Sequence, residues 1–235
     1  MTFYPQLQYT DKIIDKVYGI QFGIMSPDEI RRRSVVEITE TQTYQNNEPY
    51  PGGLFDPRLG VNDPDKICPT DGLNYMDTPG YFGHIELARP VFYVQHMKEI
   101  MKIAKLTCFK CSKLLVNKNQ HKHILDFSPE KRWNYLNNLR GNITRCGEYT
   151  DDGCGCLQPS KIKLEGFATL KATIEYQSDE TNEKSTQETE LTPEFILRQF
   201  KRISDEDVSF MGFSPVWSRP EWMICQVLPV APPAV

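Results

Sequence analysis

Apolar residues follow a helical period over one long stretch of this chain, from Val91 to about Leu106. The residues that share the apolar face are Val91, Val94, Met97, Met101 and Ala104. The opposite face carries Lys98, Lys102 and Lys105. This spacing predicts an amphipathic helix whose apolar face lies in the core.

Three shorter helices are predicted by their start signals. Ser26, Ser128 and Thr192 are each followed by proline and, one or two residues later, by glutamate. A hydroxyl N-cap before a proline is typical of a first helical turn, and Glu29 would close a capping box on Ser26. The apolar side of the third helix would consist of Phe195, Ile196, Phe200 and Ile203.

β-Structure is predicted in three places. Residues 13–22 and 34–39 each fit a strand, and residues 162–167 and 169–176 fit the two strands of a hairpin. The polar, acidic segment 178–192 is interpreted as a solvated loop, and the proline-rich residues 228–235 fit neither a regular helix nor an inner strand. The remainder of residues 1–90 is irregular and rich in proline. The fold class predicted is therefore α+β with long loops.

Composition narrows the class of protein. The chain has 235 residues, 39% of them hydrophobic, and a formal net charge of −4, which allows one large domain or two small ones and excludes wholesale disorder. Neither a signal peptide nor a membrane-spanning apolar stretch is present, so we expect an intracellular protein that is not secreted and does not contact a membrane. P-loop, G-x-S-x-G, H-E-x-x-H and G-x-G-x-x-G motifs are also missing, and no residue is predicted to be catalytic.

Charge is unevenly distributed along the chain. Residues 98–140 contain ten Lys and Arg against three acids, whereas residues 175–194 contain seven acids and one lysine. Two ordinary solvated faces would explain this; alternatively, a basic surface faces nucleic acid and an acidic surface faces away. The candidates for nucleic-acid contact are Lys98, Lys102, Lys105, Lys110, Lys113 and Arg132, with Arg31, Arg32 and Arg33 as secondary candidates.

Five of the seven cysteines are clustered, in the pattern Cys-x2-Cys, then Cys146, then Cys-Gly-Cys. Two pairs of thiolates from separate segments are typical of a tetrahedral zinc site, and an all-thiolate set favours a closed structural site over a catalytic one. The predicted ligands are Cys108, Cys111, Cys146 and Cys154. Cys156 could replace Cys154, and free buried thiols are the alternative to any metal site. Gly153 and Gly155 suit the tight backbone of such a site.

Residues near the four cysteines would affect the charge of this site or are further candidates as ligands. Lys110 and Lys113 would offset the charge of four thiolates and lower the thiol pKa values. His121 and His123 are remote candidates as metal ligands and fit the basic surface better. Cys225 is expected to be a small core residue.

Four ordered segments resemble one family, the largest subunit of multisubunit DNA-directed RNA polymerase in its eukaryotic and archaeal form. The first two segments are residues 20–31, which look like its opening strand and helix, and Gly52–Gly60, which resembles its Gly-Gly-Leu-x-Asp-Pro-Arg-Met/Leu-Gly segment. Residues 79–92 are similar to its Pro-Gly-His-Phe-Gly-His-Ile-Glu-Leu stretch. Residues 210–213 and 218–224, followed by the proline-rich end, resemble a later segment of the same subunit.

The resemblance implies that the chain is the N-terminal clamp, a mobile wall that closes over DNA and the DNA–RNA hybrid. An irregular clamp core would comprise residues 1–95 and 206–235, and a zinc-bound clamp head would be inserted as residues 96–205. The implied partners are the second-largest and smaller polymerase subunits, the DNA template and transcription factors. The catalytic aspartates that hold Mg²⁺ would lie beyond residue 235, so the chain is expected to be a fragment or a split-gene product that is inactive alone.

The resemblance also implies two zinc sites, of which the second falls on the four cysteines named above. The first falls on Cys68, Asp71, Thr78 and Tyr81, where only one cysteine ligand remains, and we predict that this zinc is lost and that Tyr81 fills its place. One Zn²⁺ is therefore expected. Such a loss suggests a divergent polymerase, in the nucleus or in the cytoplasmic factory or virion of a large DNA virus.

Two other classes of protein remain as alternatives. One is a free-standing zinc-binding interaction module, although a RING-type arrangement needs eight interleaved ligands and this chain offers one compact set. The other is a regulatory module that binds transcription partners without joining an enzyme.

Overall fold

A computed structural model describes residues 18–139, 143–150, 152–177 and 184–233. The described residues contain both helices and strands, which confirms the predicted mixture of α and β structure. The strands are β1 (Tyr44–Gln45), β2 (Glu48–Pro49), β3 (Gly83–Phe92), β4 (Lys161–Glu165), β5 (Thr169–Gln177), β6 (Lys184–Leu191) and β7 (Ile224–Val230). The α-helices are α1 (Pro27–Arg33), α2 (Met97–Leu106), α3 (Pro129–Leu139), α4 (Pro193–Lys201) and α5 (Asp205–Phe210). Short 3-10 turns cover Pro57–Leu59, Val94–His96, Lys122–Asp126 and Pro220–Met223.

The strands form three small antiparallel sheets. β1 pairs with β2, and β4, β5 and β6 form a three-stranded sheet in that order. β3 pairs with β7 from Gly83 opposite Val230 to Phe92 opposite Ile224, with a break in register between Glu86 and Val91. Two strands that are far apart in sequence, β3 and β7, therefore lie side by side.

The main core contains buried side chains from α2, α4, α5 and the β4–β5–β6 sheet, with α2 packed on β4 and α4 packed on β3. Its innermost side chains are removed from solvent, and they include Ile100, Ile103, Leu170, Ile196 and Phe200. A smaller cluster of Val36, Ile38 and Leu59 lies beneath β3. The larger core supports the segment that carries the clustered cysteines.

The predicted helix over 91–106 is wrong in its first third. Val91 belongs to β3, where it pairs with Cys225, and α2 begins only at Met97. The side chains of Val91 and Val94 are about half exposed and are not part of the core, and the backbone through Phe92 pairs with β7 instead of forming helix. The buried face of α2 is Met97, Ile100, Ile103, Ala104 and Leu106.

The three predicted helix starts are confirmed, and hydroxyl caps are seen at two of them. The hydroxyl of Ser26 accepts a hydrogen bond from the Glu29 N–H at 3.1 Å, and Thr192 accepts one from the Phe195 N–H at 3.3 Å. α3 begins at Pro129 as expected. The Glu29 carboxylate binds Arg33 at 2.5 Å, so the reciprocal half of the capping box is not formed.

The predicted hairpin is confirmed as β4 and β5, but the acidic segment after it contains a third strand, β6. Its residues 185–190 are all exposed, so the ladder to β5 stabilises this strand, together with pairs such as Lys171 opposite Glu190. A burial pattern therefore could not reveal it. Residues 178–183 of the predicted loop lie outside the described residues.

Two other predicted strands are not regular strands. Residues 18–22 have no regular structure, with Ile20 and Phe22 more than three-quarters exposed, and residues 13–17 of that prediction lie outside the described part. Residues 34–39 form a single bridge, Glu37 with His84, alongside β3. Within the described residues, no helix is long and apolar enough to cross a membrane.

Candidate metal centre

The first pair of cysteines lies in a tight turn directly after α2. Thr107 and Leu114 form an isolated bridge, inside which the Cys108 N–H donates to the Lys113 carbonyl at 2.9 Å. The Ser112 N–H donates to the Cys108 carbonyl at 3.0 Å, and Ser112 has a φ of 62°. This turn, residues 107–114, is called the first knuckle. It directs Cys108 and Cys111 to the same side.

The second pair lies in a similar reversal, residues 145–150 and 152–157, called the second knuckle, in which Arg145 bridges Leu157. The Cys146 N–H donates to the Cys156 carbonyl and the Gly155 N–H to the Cys146 carbonyl, both at 2.9 Å. A Cβ atom on Gly153 would lie 2.1 Å from the Cα of Gly147. Only two glycines allow the backbone to pack this closely.

The four predicted ligands are brought together by the two knuckles. The Sγ atoms of Cys108, Cys111, Cys146 and Cys154 all lie within 4.8 Å of one another. Cys108 is 3.5 Å from Cys154 and Cys111 is 3.7 Å from Cys146, Sγ to Sγ, and all four thiols are free of disulfides. Four sulfurs at about 2.3 Å around a tetrahedral zinc would be about 3.8 Å apart, so this donor set could hold such an ion.

Burial and hydrogen bonding differ among the four thiols. Cys108 is fully buried and accepts hydrogen bonds at 3.3 Å from the Lys110 N–H and from the Gln158 amide. Burial raises the pKa of the Cys146 and Cys111 thiols, whereas the backbone N–H of Cys156 lowers the pKa of exposed Cys154 to about 7. Contrary to expectation, the nearby lysines do not lower the pKa of all these thiols. A divalent cation would supply the positive charge that the Cys111 and Cys146 thiols require to ionise.

The remaining cysteines and histidines are not among the four clustered ligands. Cys156 packs against the cluster, but its thiol donates to the Leu157 carbonyl at 3.4 Å. Cys225 is buried on β7 opposite Val91 of β3, as expected for a core residue. His121 and His123 pack with Tyr135, their ring centroids 6.0 and 5.5 Å from it. Within the described residues, the four-cysteine group is the one set of three or more ligating side chains close enough to share an ion.

The first knuckle is attached to α4 by residues that sequence reasoning missed. The Gln199 amide donates to the Thr107 hydroxyl at 2.8 Å, and the rings of Phe109 and Phe195 lie 5.6 Å apart. Gln158 bonds both the Cys108 thiol and the Phe109 N–H. An isolated glutamine gives no signal in a single sequence, because its role depends on contacts between distant segments.

Several predicted basic residues have partners within the chain. Lys113 joins the two knuckles by donating to the Asp152 carboxylate at 2.8 Å and to its carbonyl at 3.0 Å. The Arg132 guanidinium donates to the carbonyls of Ile124, Leu125, Phe127 and Ser209. Arg132 therefore holds α3 against neighbouring loops.

The other basic candidates are distributed over two elements. Lys98 and Lys110 are exposed, while Lys102 and Lys105 on α2 are half-buried. Two arginines absent from the predicted set, Arg198 and Arg202, are exposed one turn apart on α4, and Arg202 donates to the Lys110 carbonyl at 3.4 Å. Their i, i+4 spacing in the sequence is a signal from which they could have been predicted as candidates for nucleic-acid contact.

The secondary candidates have local partners. Arg31 pairs with Asp28 and Glu86, and Arg32 and Arg33 pair with Glu29. Arg140, within the basic segment, lies outside the described residues.

The four residues of the predicted vestigial site also lie together. The Asp71 Oδ2 accepts hydrogen bonds from the Thr78 hydroxyl at 2.7 Å and from the Tyr81 hydroxyl at 3.1 Å. Cys68 is fully buried beside them. Desolvation opposes ionisation of Asp71, but hydrogen bonds from the Leu73 N–H and the two hydroxyls outweigh it and lower the Asp71 pKa. One thiol and one carboxylate that is already hydrogen-bonded do not fit a zinc site.

Comparison with known proteins gives one consistent result. A family model described as "RNA polymerase Rpb1, domain 1" matches residues 14–235. The chain is 37% identical over 243 residues to the "DNA-directed RNA polymerase II subunit RPB1" of Euplotoides octocarinatus, covering 97% of this chain and 49% of that protein. It is 36% identical over 237 residues to the "DNA-directed RNA polymerase subunit Rpo1N" of Methanocaldococcus jannaschii, covering 95% of this chain and 16% of that protein. The chain thus spans about half or less of the length of these relatives.

Proposed function

The chain belongs to the RNA polymerase Rpb1 domain 1 family, the N-terminal region of the polymerase largest subunit, and from this premise we propose that it forms the polymerase clamp. The clamp would close over DNA and the DNA–RNA hybrid during transcription. Nucleotidyl transfer belongs in this proposal to the complete enzyme, at an Mg²⁺ site formed by other parts of it.

The pairing of β3 with β7 is the observation that carries this proposal. The two strands lie on either side of residues 96–205, so the chain leaves and re-enters the clamp core at adjacent strands. A segment that starts and ends at neighbouring positions is able to form an inserted unit. This arrangement supports the division into a clamp core of residues 1–95 and 206–235 and an inserted clamp head of 96–205.

The proposed cofactor of the clamp head is one Zn²⁺, held by Cys108, Cys111, Cys146 and Cys154. A bound zinc would cross-link the two knuckles. The first has four buried residues, whereas Cys146 is the one buried residue among those described in the second, so the second has little core of its own to hold it. All four positions of a tetrahedral ion would be taken by protein, which suits a structural rather than a catalytic role. The clamp head would then move as a rigid body.

The proposed nucleic-acid surface combines α2 with the region where the first knuckle meets α4. Lys98 and Lys102 contribute from α2, and Lys110, Arg198 and Arg202 from the knuckle and α4. Among the described residues, no carboxylate pairs with Lys110, Arg198 or Arg202 within ion-pair distance. Such cations are able to neutralise phosphates, and contacts of this kind carry no sequence preference. Arg132 is not part of the proposed nucleic-acid surface, because its guanidinium already donates to backbone carbonyls within the chain.

The proposed partners are the second-largest and smaller polymerase subunits, the DNA template and hybrid, and transcription factors. The compartment would be one that holds transcription complexes, the nucleus or a viral factory. The exposed acidic face of β6 would point away from nucleic acid.

Site-specific crosslinking in the assembled polymerase tests the proposal. A photo-reactive residue in place of Arg198 should crosslink to a labelled DNA–RNA scaffold, because the side chain would lie within reach of the phosphate backbone. The matched control places the same residue at Glu188 on exposed β6, where we expect no crosslink. Crosslinking at position 188 but not at 198 would reverse the proposed orientation, and failure of the chain to assemble with the other subunits would refute the clamp assignment.

A further inference from the structure

A second turn in the chain repeats the backbone of the first knuckle. Ile67 bridges Asn74 as Thr107 bridges Leu114. The Cys68 N–H donates to the Leu73 carbonyl at 2.9 Å and the Gly72 N–H to the Cys68 carbonyl at 2.8 Å. The corresponding bonds of the first knuckle are 2.9 and 3.0 Å and join the equivalent positions.

Backbone conformation and burial agree between the two turns as well. Gly72 has a φ of 72°, and Ser112, the equivalent residue, has a φ of 62°. Cys68 and Cys108 are both fully buried at the first ligand position. The similarity therefore includes the left-handed residue that directs the second ligand position back towards the first.

The side chains at the centre differ in charge. Asp71 stands where the first knuckle has Cys111, and its carboxylate accepts hydrogen bonds from the Leu73 N–H at 2.9 Å, the Thr78 hydroxyl at 2.7 Å and the Tyr81 hydroxyl at 3.1 Å. In a zinc site a cation is surrounded by anionic sulfurs; here an anion is surrounded by donor groups. Hydrogen bonds to a charged acceptor are the stronger kind, so a carboxylate is able to join these segments.

We infer that residues 67–81 form a metal-free knuckle in which the Asp71 carboxylate replaces the ion as the cross-link, and that the backbone remains competent to bind zinc if thiolate and imidazole ligands are supplied. The two turns share one hydrogen-bond pattern, and three donors converge on the Asp71 carboxylate. The inference concerns a different site from the four cysteines and does not depend on the proposed function.

The gain of a metal site tests the second half of this inference. The variant with Asp71→Cys, Thr78→Cys and Tyr81→His supplies three new ligands beside Cys68. Native mass spectrometry of the full chain with added Zn²⁺ should count one more ion in this variant than in the unmodified chain. An unchanged count would contradict a competent backbone. A control variant, which adds Cys68→Ser to the three substitutions, should lose the extra ion.

Hydrogen exchange of the unmodified chain tests the first half. A chelator should increase exchange of the Cys108 and Ser112 amides and leave the Cys68 and Gly72 amides protected, because no ion holds the second turn. Asp71→Ala should increase exchange at Cys68 and Gly72 without a chelator. If the chelator unfolds the whole chain, native mass spectrometry of the bound ions replaces this test. An unmodified chain that binds two zinc ions, one of which remains bound in the Cys108→Ser variant, would overturn the metal-free assignment.

Discussion

At the scale of single residues, Asp56 shows how one carboxylate organises the turn that contains residues 52–58. Its side chain is 1% exposed and accepts the Gly52 N–H at 2.6 Å and the Arg58 guanidinium at 2.7 Å on Oδ2. Burial opposes ionisation, but these bonds and that from the Arg58 N–H outweigh it and lower the Asp56 pKa to about 2. The ionised form is therefore built into the folded state.

This pKa has a predictable effect on stability. Above about pH 5 the carboxylate is ionised in both the folded and the unfolded chain, and its full contribution of about 2 kcal/mol is present. As the pH falls towards 2, the unfolded chain binds the proton first and the contribution is lost. We expect Asp56→Asn to lower the free energy of unfolding by about 2 kcal/mol at pH 7 and by less near pH 2. Urea denaturation across this pH range measures it.

Asp63→Asn is the matched control for Asp56. Asp63 is largely exposed and pairs with Lys66 at 3.5 Å, so its loss should change stability by less than about 1 kcal/mol. Equal losses of unfolding free energy from the two substitutions at pH 7 would show that the buried hydrogen bonds of Asp56 stabilise the fold no more than an exposed ion pair does.

The contact between Gly153 and Gly147 makes a second prediction at this scale. Gly153→Ala would place a Cβ 2.1 Å from the Gly147 Cα, so the second knuckle must open and move Cys146 or Cys154. We expect zinc to be released at a lower chelator concentration than from the unmodified chain, as monitored by native mass spectrometry. Gly155→Ala is the control: it meets no atom within 4 Å and is disfavoured only by its φ of 70°. Equal zinc retention by Gly153→Ala and the unmodified chain would contradict this reasoning.

At the scale of elements, α4 is the support of the first knuckle. Thr192 caps its first turn, Gln199 bonds Thr107, and Phe195 packs on Phe109. Removing the cap with Thr192→Ala should lower the free energy of unfolding by about 1 kcal/mol, because the Phe195 N–H loses its acceptor. Thermal or urea denaturation checks this. Thr192→Ser keeps the hydroxyl and should remain close to the unmodified chain, and similar losses for both variants would argue against the cap.

The same elements show how far the sequence alone could lead. Local signals were sufficient for α1, α3, α4 and the β4–β5 hairpin, since hydroxyl caps, N1 prolines and alternation lie within a few residues of one another. β6 could not be predicted, because residues 185–190 are all exposed and the strand depends on pairing with β5. Val91 was assigned to a helix because its pairing partner, Cys225, is distant in sequence.

The candidate metal centre could likewise be predicted only where its signals are local in sequence. The four cysteines are recognisable from spacing, since each knuckle is local. Gln158, Gln199 and the pairing of Lys113 with Asp152 depend on contacts between distant segments, and the spacing of cysteines carries no information about them. Whether a lysine faces solvent or bonds a neighbouring loop was likewise decided by tertiary structure.

At the scale of the whole molecule, the proposed basic surface of α2, the first knuckle and α4 lies on other elements than the exposed acids of β6, and this separation predicts how the chain binds nucleic acid. Binding of a labelled DNA duplex should be weak and should weaken further as salt rises, because cations contact phosphates. Arg198→Ala combined with Arg202→Ala should reduce the slope of log K against log salt by about two units. Fluorescence anisotropy at several salt concentrations measures the slope.

Two exposed lysines of the β4–β5–β6 sheet provide the control for that pair. Lys161→Ala with Lys163→Ala removes the same charge from the sheet and should leave the slope unchanged. If both double variants lower the slope equally, net charge rather than the proposed surface governs binding.

The central claim is that this polymerase region contains one structural zinc, held by four thiolates that join the two knuckles. Counting zinc in the intact purified chain by native mass spectrometry tests it most directly. The account predicts one ion per chain, retained by Cys156→Ser and absent from Cys108→Ser. A chain that binds no zinc, or one that keeps its ion after Cys108→Ser, would contradict it.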